Sequence, residues 1–217
     1  MRGIDFDYYK STPDIELAAQ QSRTKFGIPQ DSFVFLFVGR IVRDKGIVEL
    51  LEAFKNLTES YSQKNDTSSP ISLLLVGNEE EYLDPLPPST QQLINTLPNV
   101  YRLPFQTDVR PFYATAQALV FPSYREGFPN VVLEAGAFAL PSIVTDINGS
   151  REIITNKDNG LIIPPQNTEA LTQAMQTLLH TPHLKSMGEA AYRNVKQHFS
   201  KARVWQQLKD YYQHLLQ

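Results

Sequence analysis

This 217-residue sequence contains no cysteine, which excludes disulfide bonds and thiolate metal sites. It has no apolar run close to the roughly 20 residues that cross a bilayer, and its N-terminus lacks the apolar region of a signal peptide. The net charge is −3, so no global basic field attracts nucleic acid or an anionic membrane. We therefore expect no nucleic-acid partner, no transmembrane segment and a cytoplasmic location.

Two nucleotide-binding signatures are also missing. No G-x-G-x-x-G occurs, which argues against a dinucleotide-dependent dehydrogenase. The order of glycine and lysine in the basic segment at residues 39–46 does not match a Walker P-loop. The 41% apolar and 20% charged content is that of an ordinary globular protein, and the chain is long enough to bury a core.

The segment from Val120 to Asp146 has the pattern strand, loop, helix, turn, strand. An apolar run ends at Pro122, Pro129 suits a first helical position, and Pro141 marks the helix end. A helix N-terminus behind a strand and loop favours anions, through its free N–H groups and its dipole. The N–H groups expected to be free are those of Asn130, Val131 and Val132.

Two carboxylates flank this turn. Glu126 lies in the loop, and Glu134 lies about one and a half turns into the helix. An ionised carboxylate accepts hydrogen bonds and donates none, so a polyhydroxy ligand such as ribose or a hexose suits it. Taken singly, either residue is better explained as a solvated surface acid, and it is the pair in this context that points to a ligand.

A second strand–turn–helix precedes this one. Six consecutive apolar residues, Phe33 to Val38, predict a strand buried on both faces and hence a parallel sheet. Gly39 permits a tight turn, and Arg40 and Lys45 then stand above the carboxyl edge of the sheet. Arg offers a planar fork for phosphate oxygens and Lys a compact charge. The alternative for this octet is a solvated basic loop.

Further apolar runs alternate with helical patterns along the chain. The fold class that follows is α/β: a Rossmann-like, doubly wound parallel sheet with extra C-terminal helices. The predicted strands are 33–38, 71–77, 99–105, 119–121, 142–144 and 160–165. The predicted helices are 14–26, 47–60, 89–97, 108–116, the segment from 129, 168–179, 182–198 and 201–216.

These motifs resemble one family. The segment EGFPNVVLE resembles the E-x7-E motif of the retaining GT4-type glycosyltransferases (glycosyltransferase group 1, GT-B fold), and Gly39 to Gly46 resembles their G-R-x4-K-G motif. The resemblance extends over nearly the whole chain. It departs at three positions: Glu79 stands where a second glycine is common, and Ala139 and Asn148 also replace glycine.

The resemblance assigns roles to individual residues. It implies that Arg40 and Lys45, beside Gly39, hold the diphosphate of a nucleotide sugar, and that Glu134 accepts from the ribose hydroxyls. With Glu126, the cations form the expected catalytic set; no metal and no cofactor are expected. The other implied donor-binding residues are Arg102, Leu103 and Phe105 at the base, Glu126, Gly127 and Phe128 at the sugar, and Asn130 and Val131 at the helix N-terminus.

The implied function is retaining, metal-independent transfer of a hexosyl group to a glycan or lipid-linked acceptor, with a UDP-sugar favoured as donor and a GDP-sugar next. We expect residues 1–12 to be an interdomain linker, 13–198 the donor domain, and 199–217 a helix that crosses to a missing N-terminal GT-B domain. The fragment alone is expected to bind donor weakly and transfer nothing. Peripheral contact with the inner membrane face is expected only of the full-length protein.

Three other functions stay open at this point. One is a stand-alone nucleotide-sugar-binding or regulatory domain. Another is a GT-B-fold sugar-nucleotide epimerase, which would need acid and base residues near the cleft, whereas all four histidines lie at or after residue 180. The third is a non-catalytic scaffold that uses the aromatic C-terminal helix.

Overall fold

A single parallel sheet forms the centre of the computed structural model, which describes residues 3–63, 70–80, 82 and 84–215. Its strands are β1 (Phe33–Val38), β2 (Ile71–Val76), β3 (Val100–Leu103), β4 (Ala118–Phe121), β5 (Ser142–Thr145) and β6 (Gly160–Ile163). Their order across the sheet is β3-β2-β1-β4-β5-β6, and all neighbouring pairs are parallel. The predicted fold class is confirmed.

Helices connect the strands. They are α1 (Pro13–Phe26), α2 (Ile47–Gln63), α3 (Pro88–Thr96), α4 (Arg110–Thr115), α5 (Asn130–Ala137), α6 (Ser150–Ile153), α7 (Thr168–His180), α8 (Leu184–His198) and α9 (Lys201–Leu215), with a 3₁₀ turn at Arg43–Lys45. Helix α2 packs with α3 and α7, α1 packs with α4, and α5 packs with α8. The short α6 and the 3₁₀ turn were not predicted, and Pro129 caps α5 instead of being its first helical residue.

The strands are buried because helices cover the sheet. Residues Val34 to Phe37 of β1 have no exposed surface, and every residue of β2, β4 and β5 is buried. A strand buried on both faces needs apolar residues at successive positions, not at alternate ones. This explains why continuous apolar runs in the sequence located the strands.

The sheet reverses its winding between β1 and β4. After β1 the chain moves outward to β2 and β3, and it then returns to β4 and continues outward on the other side. The loops that follow β1 and β4 therefore leave neighbouring strands and open a crevice between them. Open α/β sheets generally bind ligands at such a switch point.

Two glycines bring backbone segments into contact at this edge. A Cβ at Gly77, where φ is 150°, would overlap the carbonyl oxygen of Gly39, so the ends of β2 and β1 touch. A Cβ at Gly46, where φ is 72°, would overlap the carbonyl of Pro122. The second contact fixes the start of α2 against the end of β4. It therefore holds the two sides of the crevice together.

Helix α5 ends in a left-handed cap formed by alanine. Ala139 has φ 55°, its amide donates to the carbonyl of Gly136, and the amide of Leu140 donates to that of Ala135. This is the Schellman pattern of hydrogen bonds. The helix therefore has a left-handed cap at a position where the family commonly has glycine, but the residue there carries a Cβ.

Helix α9 has no buried residue. Its exposed apolar side chains are Trp205, Leu208, Tyr211, Tyr212 and Leu215. Among the described residues, no helix combines the length and the apolar character required to cross a membrane.

The cap at Ala139 generates a stability prediction. A left-handed conformation costs an L-residue about 1–2 kcal/mol. Against this gain, replacing alanine by glycine lowers the free energy of unfolding by about 0.4–1 kcal/mol, because the unfolded chain becomes more flexible. Ala139 is exposed, so Ala139→Gly removes little packing. We expect it to raise the free energy of unfolding by up to about 1 kcal/mol, measured by urea denaturation with circular dichroism.

The matched control is Ala18→Gly in the middle of α1, where the conformation is right-handed. There the same substitution should lower the free energy of unfolding by about 0.5–1 kcal/mol. Equal losses at both positions would contradict the left-handed cap.

Candidate functional site

The two predicted motifs meet at the switch point, where Lys45 and Glu126 form an ion pair. The Nζ of Lys45, at the end of the 3₁₀ turn after β1, lies 2.5 Å from Oε1 of Glu126 in the loop after β4. These side chains are only 14% and 17% exposed. The hydroxyl of Ser123 donates to the same Glu126 oxygen over 3.1 Å. Residues 81 positions apart are thus joined where the two loops face each other.

The other two predicted cations are also paired with carboxylates. Arg40 Nη1 donates to Oε2 of Glu80 over 2.8 Å, and this hydrogen bond raises the pKa of Arg40. Arg102 donates to Glu79. Glu79 and Glu80 follow β2, and Glu79 is the residue that replaces the second glycine of the family pattern. Each of the three cations therefore has a negative partner before any ligand binds.

A cavity of about 340 Å³ opens beside these residues, above the ends of β1 and β2. Its lining includes Gly39, Arg40, Asn78, Glu80, Phe105 and Gln106. Phe105 is 69% exposed, and its amide donates to Oδ1 of Asn78 over 2.8 Å. The cavity therefore offers one exposed aromatic ring, one cation and amide groups. Sequence reasoning did not include Asn78, Glu80 or Gln106.

The remaining residues of the expected base pocket lie elsewhere. Leu103 is 1% exposed and packs in the core, and its carbonyl accepts from the amide of Gly77 over 2.9 Å. Arg102 does not line the cavity of Phe105; it lines a neighbouring depression with Asn78 and Glu79. Arg102 and Leu103 are separated because successive side chains of a strand point to opposite faces, whereas Phe105 lies beyond the end of β3.

Glu134 is held by two tyrosines. Its Oε1 accepts from the hydroxyl of Tyr9 over 2.9 Å and its Oε2 from that of Tyr113 over 2.8 Å. Burial raises the pKa of Glu134, while the bonds from Tyr113 and Tyr9 act to lower it. Burial, reinforced by the Glu134 charge, raises the pKa of both tyrosines. No local pattern pointed to these partners, because Tyr9 lies 125 positions away and Tyr113 belongs to an apolar helix face.

The N-terminus of α5 presents two amides. No partner for the N–H groups of Asn130 and Val131 is found among the described residues, and no side chain caps the helix. The amide of Val132 donates to the carbonyl of Pro129 over 3.1 Å, so the expectation that it is free was wrong. The tight turn before the helix uses that group.

The loop between Glu126 and α5 is held from two sides. A Cβ on Gly149, where φ is 79°, would lie 2.6 Å from the carbonyl oxygen of Gly127. The rings of Phe128 and Phe199 pack with their centroids 5.6 Å apart. The positive φ in this turn belongs to Gly149 and not to Asn148, whose Oδ1 accepts from Arg151 over 2.7 Å.

Comparisons with known proteins agree with this fold and these motifs. The model of the family described as glycosyl transferases group 1 matches residues 19–194. The Staphylococcus aureus capsular polysaccharide biosynthesis glycosyltransferase CapM is 32% identical over 184 residues, which is 84% of this chain and 46% of that protein.

Two solved structures show the same fold. Anabaena HepE, in complex with UDP and glucose, has a TM-score of 0.81 at 20% identity, over 97% of this chain and 55% of that one. The C-terminal domain of the Francisella tularensis group 1 glycosyl transferase LpcC has a TM-score of 0.73 at 19% identity, over 91% of this chain and 99% of that one.

The chain therefore belongs to the group 1 glycosyl transferases, and its Rossmann-like sheet matches GT-B glycosyltransferase structures. It spans about half the length of CapM. The resemblance first recognised in the two short motifs is confirmed over most of the sequence.

The raised pKa of Glu134 generates a pH prediction. A carboxyl whose folded pKa is raised contributes to stability below the unfolded pKa, and this contribution is lost as the pH rises through the folded value. Glu134→Gln removes the titration and leaves groups that can bond both tyrosines. We expect the variant to melt at a higher temperature than wild type at about pH 8, with the difference shrinking toward about pH 4.

Melting curves over this pH range, followed by circular dichroism, measure the effect. Glu189→Gln on the exposed face of α8 changes the net charge equally and is the control. A melting difference for Glu134→Gln that is the same at both ends of the pH range would contradict a buried, titrating carboxyl.

Proposed function

We propose that this chain is the donor-binding half of a retaining, metal-independent hexosyltransferase that uses a nucleotide-diphosphate sugar, with UDP-sugars favoured over GDP-sugars. The observation that carries the proposal is the meeting of both motif loops at the sheet switch point, joined by Lys45 and Glu126. The complex of HepE with UDP and glucose, on the same fold, supports the choice of ligand class.

The diphosphate is proposed to bind between Arg40, Lys45 and the amides of Asn130 and Val131. These groups come from the two sides of the crevice and are all donors. Negative charge grows on the nucleotide diphosphate as the bond to the sugar breaks. Fixed cations and amides aimed at that charge stabilise the transition state more than the ground state, which is the condition for catalysis.

With the diphosphate placed there, the base, the ribose and the sugar of the donor can be assigned to neighbouring residues. The base enters the cavity beside Phe105, where an exposed aromatic ring is available for stacking. The ribose hydroxyls donate to Glu134, whose oxygens have acceptor sites beyond the two tyrosine bonds. Glu126, Gly127 and Phe128 hold the sugar. Glu126 receives no covalent role, and the retaining outcome is inferred from the family.

The acceptor is proposed to bind a second GT-B domain of a longer protein. Helix α9, with its exposed apolar side chains and no buried residue, is suited to pack against such a domain. On this proposal the present chain binds donor weakly and does not transfer sugar by itself. A glycan or lipid-linked acceptor is the proposed class.

Calorimetric titration with UDP, GDP and ADP tests the donor site. One nucleotide should bind selectively, and Lys45→Ala should weaken it by about tenfold or more, since hydrogen bonds to charged groups contribute about 1.5–3 kcal/mol. Glu134→Ala should also weaken nucleotide binding, through loss of the ribose contacts.

Lys55→Ala is the matched control, because Lys55 is an exposed lysine on α2 whose removal changes the net charge equally. Equal losses in both lysine variants would point to non-specific charge attraction. If no nucleotide binds even at about 1 mM, which corresponds to about 4 kcal/mol, the donor-site proposal fails for this chain.

A further inference from the structure

We propose that Tyr9 is a positioning residue for Glu134, so that the donor site is complete only when the N-terminal segment, residues 3–9, is docked on the domain. The inference rests on the proposed function, because it assigns Glu134 to the donor ribose. What is new is the assignment of a role in nucleotide binding to a residue in the segment between domains.

The two tyrosines at Glu134 differ in how they are held. Tyr113 has no exposed surface and stacks on Phe138 with the ring centroids 5.7 Å apart, so its hydroxyl is a permanent part of the core. Tyr9 lies in a turn of the N-terminal segment and reaches Glu134 from outside the sheet and helices. One carboxylate oxygen is therefore fixed by the domain and the other by the segment.

The segment is joined to the chain just before α9. The amide of Ile4 donates to the carbonyl of Phe199 over 2.8 Å, and the amide of Lys201 donates to that of Ile4 over the same distance. The ammonium of Lys201 lies 3.2 Å from the carboxylate of Asp5. A Cβ on Gly3, where φ is 68°, would approach Cα of Lys201 to 2.8 Å, so the fit requires glycine.

The N-terminal segment and the residue that it pairs with before α9 contact helix α5 and the loop before it. Tyr9 bonds Glu134 on α5, and Phe199 packs on Phe128 in the loop before α5. A second anchor holds the end of the segment: the guanidinium of Arg110 lies 4.0 Å from the ring centre of Tyr8 and donates to its carbonyl. Any movement of the segment therefore changes the hydrogen bonding of the carboxylate.

The tyrosine bond matters most for the charge on Glu134. Only the ionised carboxylate can accept two ribose hydroxyls without competing as a donor. Burial favours the neutral acid, and donation from Tyr9 and Tyr113 opposes burial. Among the described residues, these are the titratable groups that bond Glu134. Tyr8 and Asp108 act electrostatically on Tyr9, and Arg110 bonds Asp108 and lies over the ring of Tyr8.

Tyr9→Phe tests the proposal on the full chain, with the tightest of UDP, GDP and ADP as probe. Removing the hydroxyl should weaken binding about three- to tenfold at neutral pH. It should also move the pH at which binding is lost on acidification to a higher value, because the pKa of Glu134 rises further. Titrations from about pH 5 to about pH 9 measure both effects.

Tyr8→Phe is the matched control, since it removes a neighbouring hydroxyl that bonds none of the described residues and leaves the ring on Arg110. Its affinity and pH profile should equal those of wild type. Gly3→Val, which obstructs docking of the segment on Lys201, should reproduce the Tyr9→Phe profile and add little to it in the double variant.

The outcomes separate two failures. If wild type binds, Glu134→Ala weakens binding, and Tyr9→Phe follows wild type at every pH, the positioning role is refuted while the donor site stands. A lower melting temperature of Tyr9→Phe with an unchanged pH profile refutes it equally, since the hydroxyl would then be structural only. If Glu134→Ala binds as wild type does, the proposed function fails first.

Discussion

The adjacency of β1 and β4 is the constraint on which the site depends. Because the chain completes one half of the sheet before starting the other, loops separated by about eighty residues leave neighbouring strands at one edge. The close backbone contact between Gly46 and Pro122 holds these two loops together. The contact between Lys45 and Glu126 is a consequence of this topology, and neither loop would place its charge there alone.

Glu134 is held both by a residue of the core and by a residue of the N-terminal segment. Its helix is fixed by the left-handed cap at Ala139 and by the close approach of Gly188 to that cap. One of its hydrogen-bond partners is a core residue, whereas the other belongs to a segment joined to the start of α9. A buried carboxylate in such a place is destabilising when ionised, which is acceptable where function requires the charge.

The sequence predicted the sheet well because its strands are buried on both faces, and continuous apolar runs such as Phe33 to Val38 have few alternative explanations. It also located the two charged loops, since strand–loop–helix order and the motif spacing are local. Helix α6 was missed because four residues are too few for a periodic signal.

The side-chain hydrogen bonds and ion pairs between distant segments could not be predicted from the sequence. Tyr9 and Tyr113 reach Glu134 only through tertiary structure, and the carboxylate partners of Arg40 and Arg102 follow from the approach of the β2 loop to the ends of β1 and β3. Arg102 and Leu103, assigned together to the base pocket, were divided because strand alternation sends them to opposite faces. A local sequence pattern locates a side chain within a strand, helix or loop, but its partner depends on tertiary structure.

The pairing of Arg40, Lys45 and Arg102 with carboxylates has a kinetic consequence. Their partners are Glu80, Glu126 and Glu79, so these three cations add little net positive field in the solvent around the crevice. On the proposed donor site, these three side chains would steer a distant diphosphate very little, and they would attract it only after it displaced a glutamate at contact range. The paired cations would then add little to the association rate or to its dependence on ionic strength, and their discrimination would arise after encounter and not during diffusion.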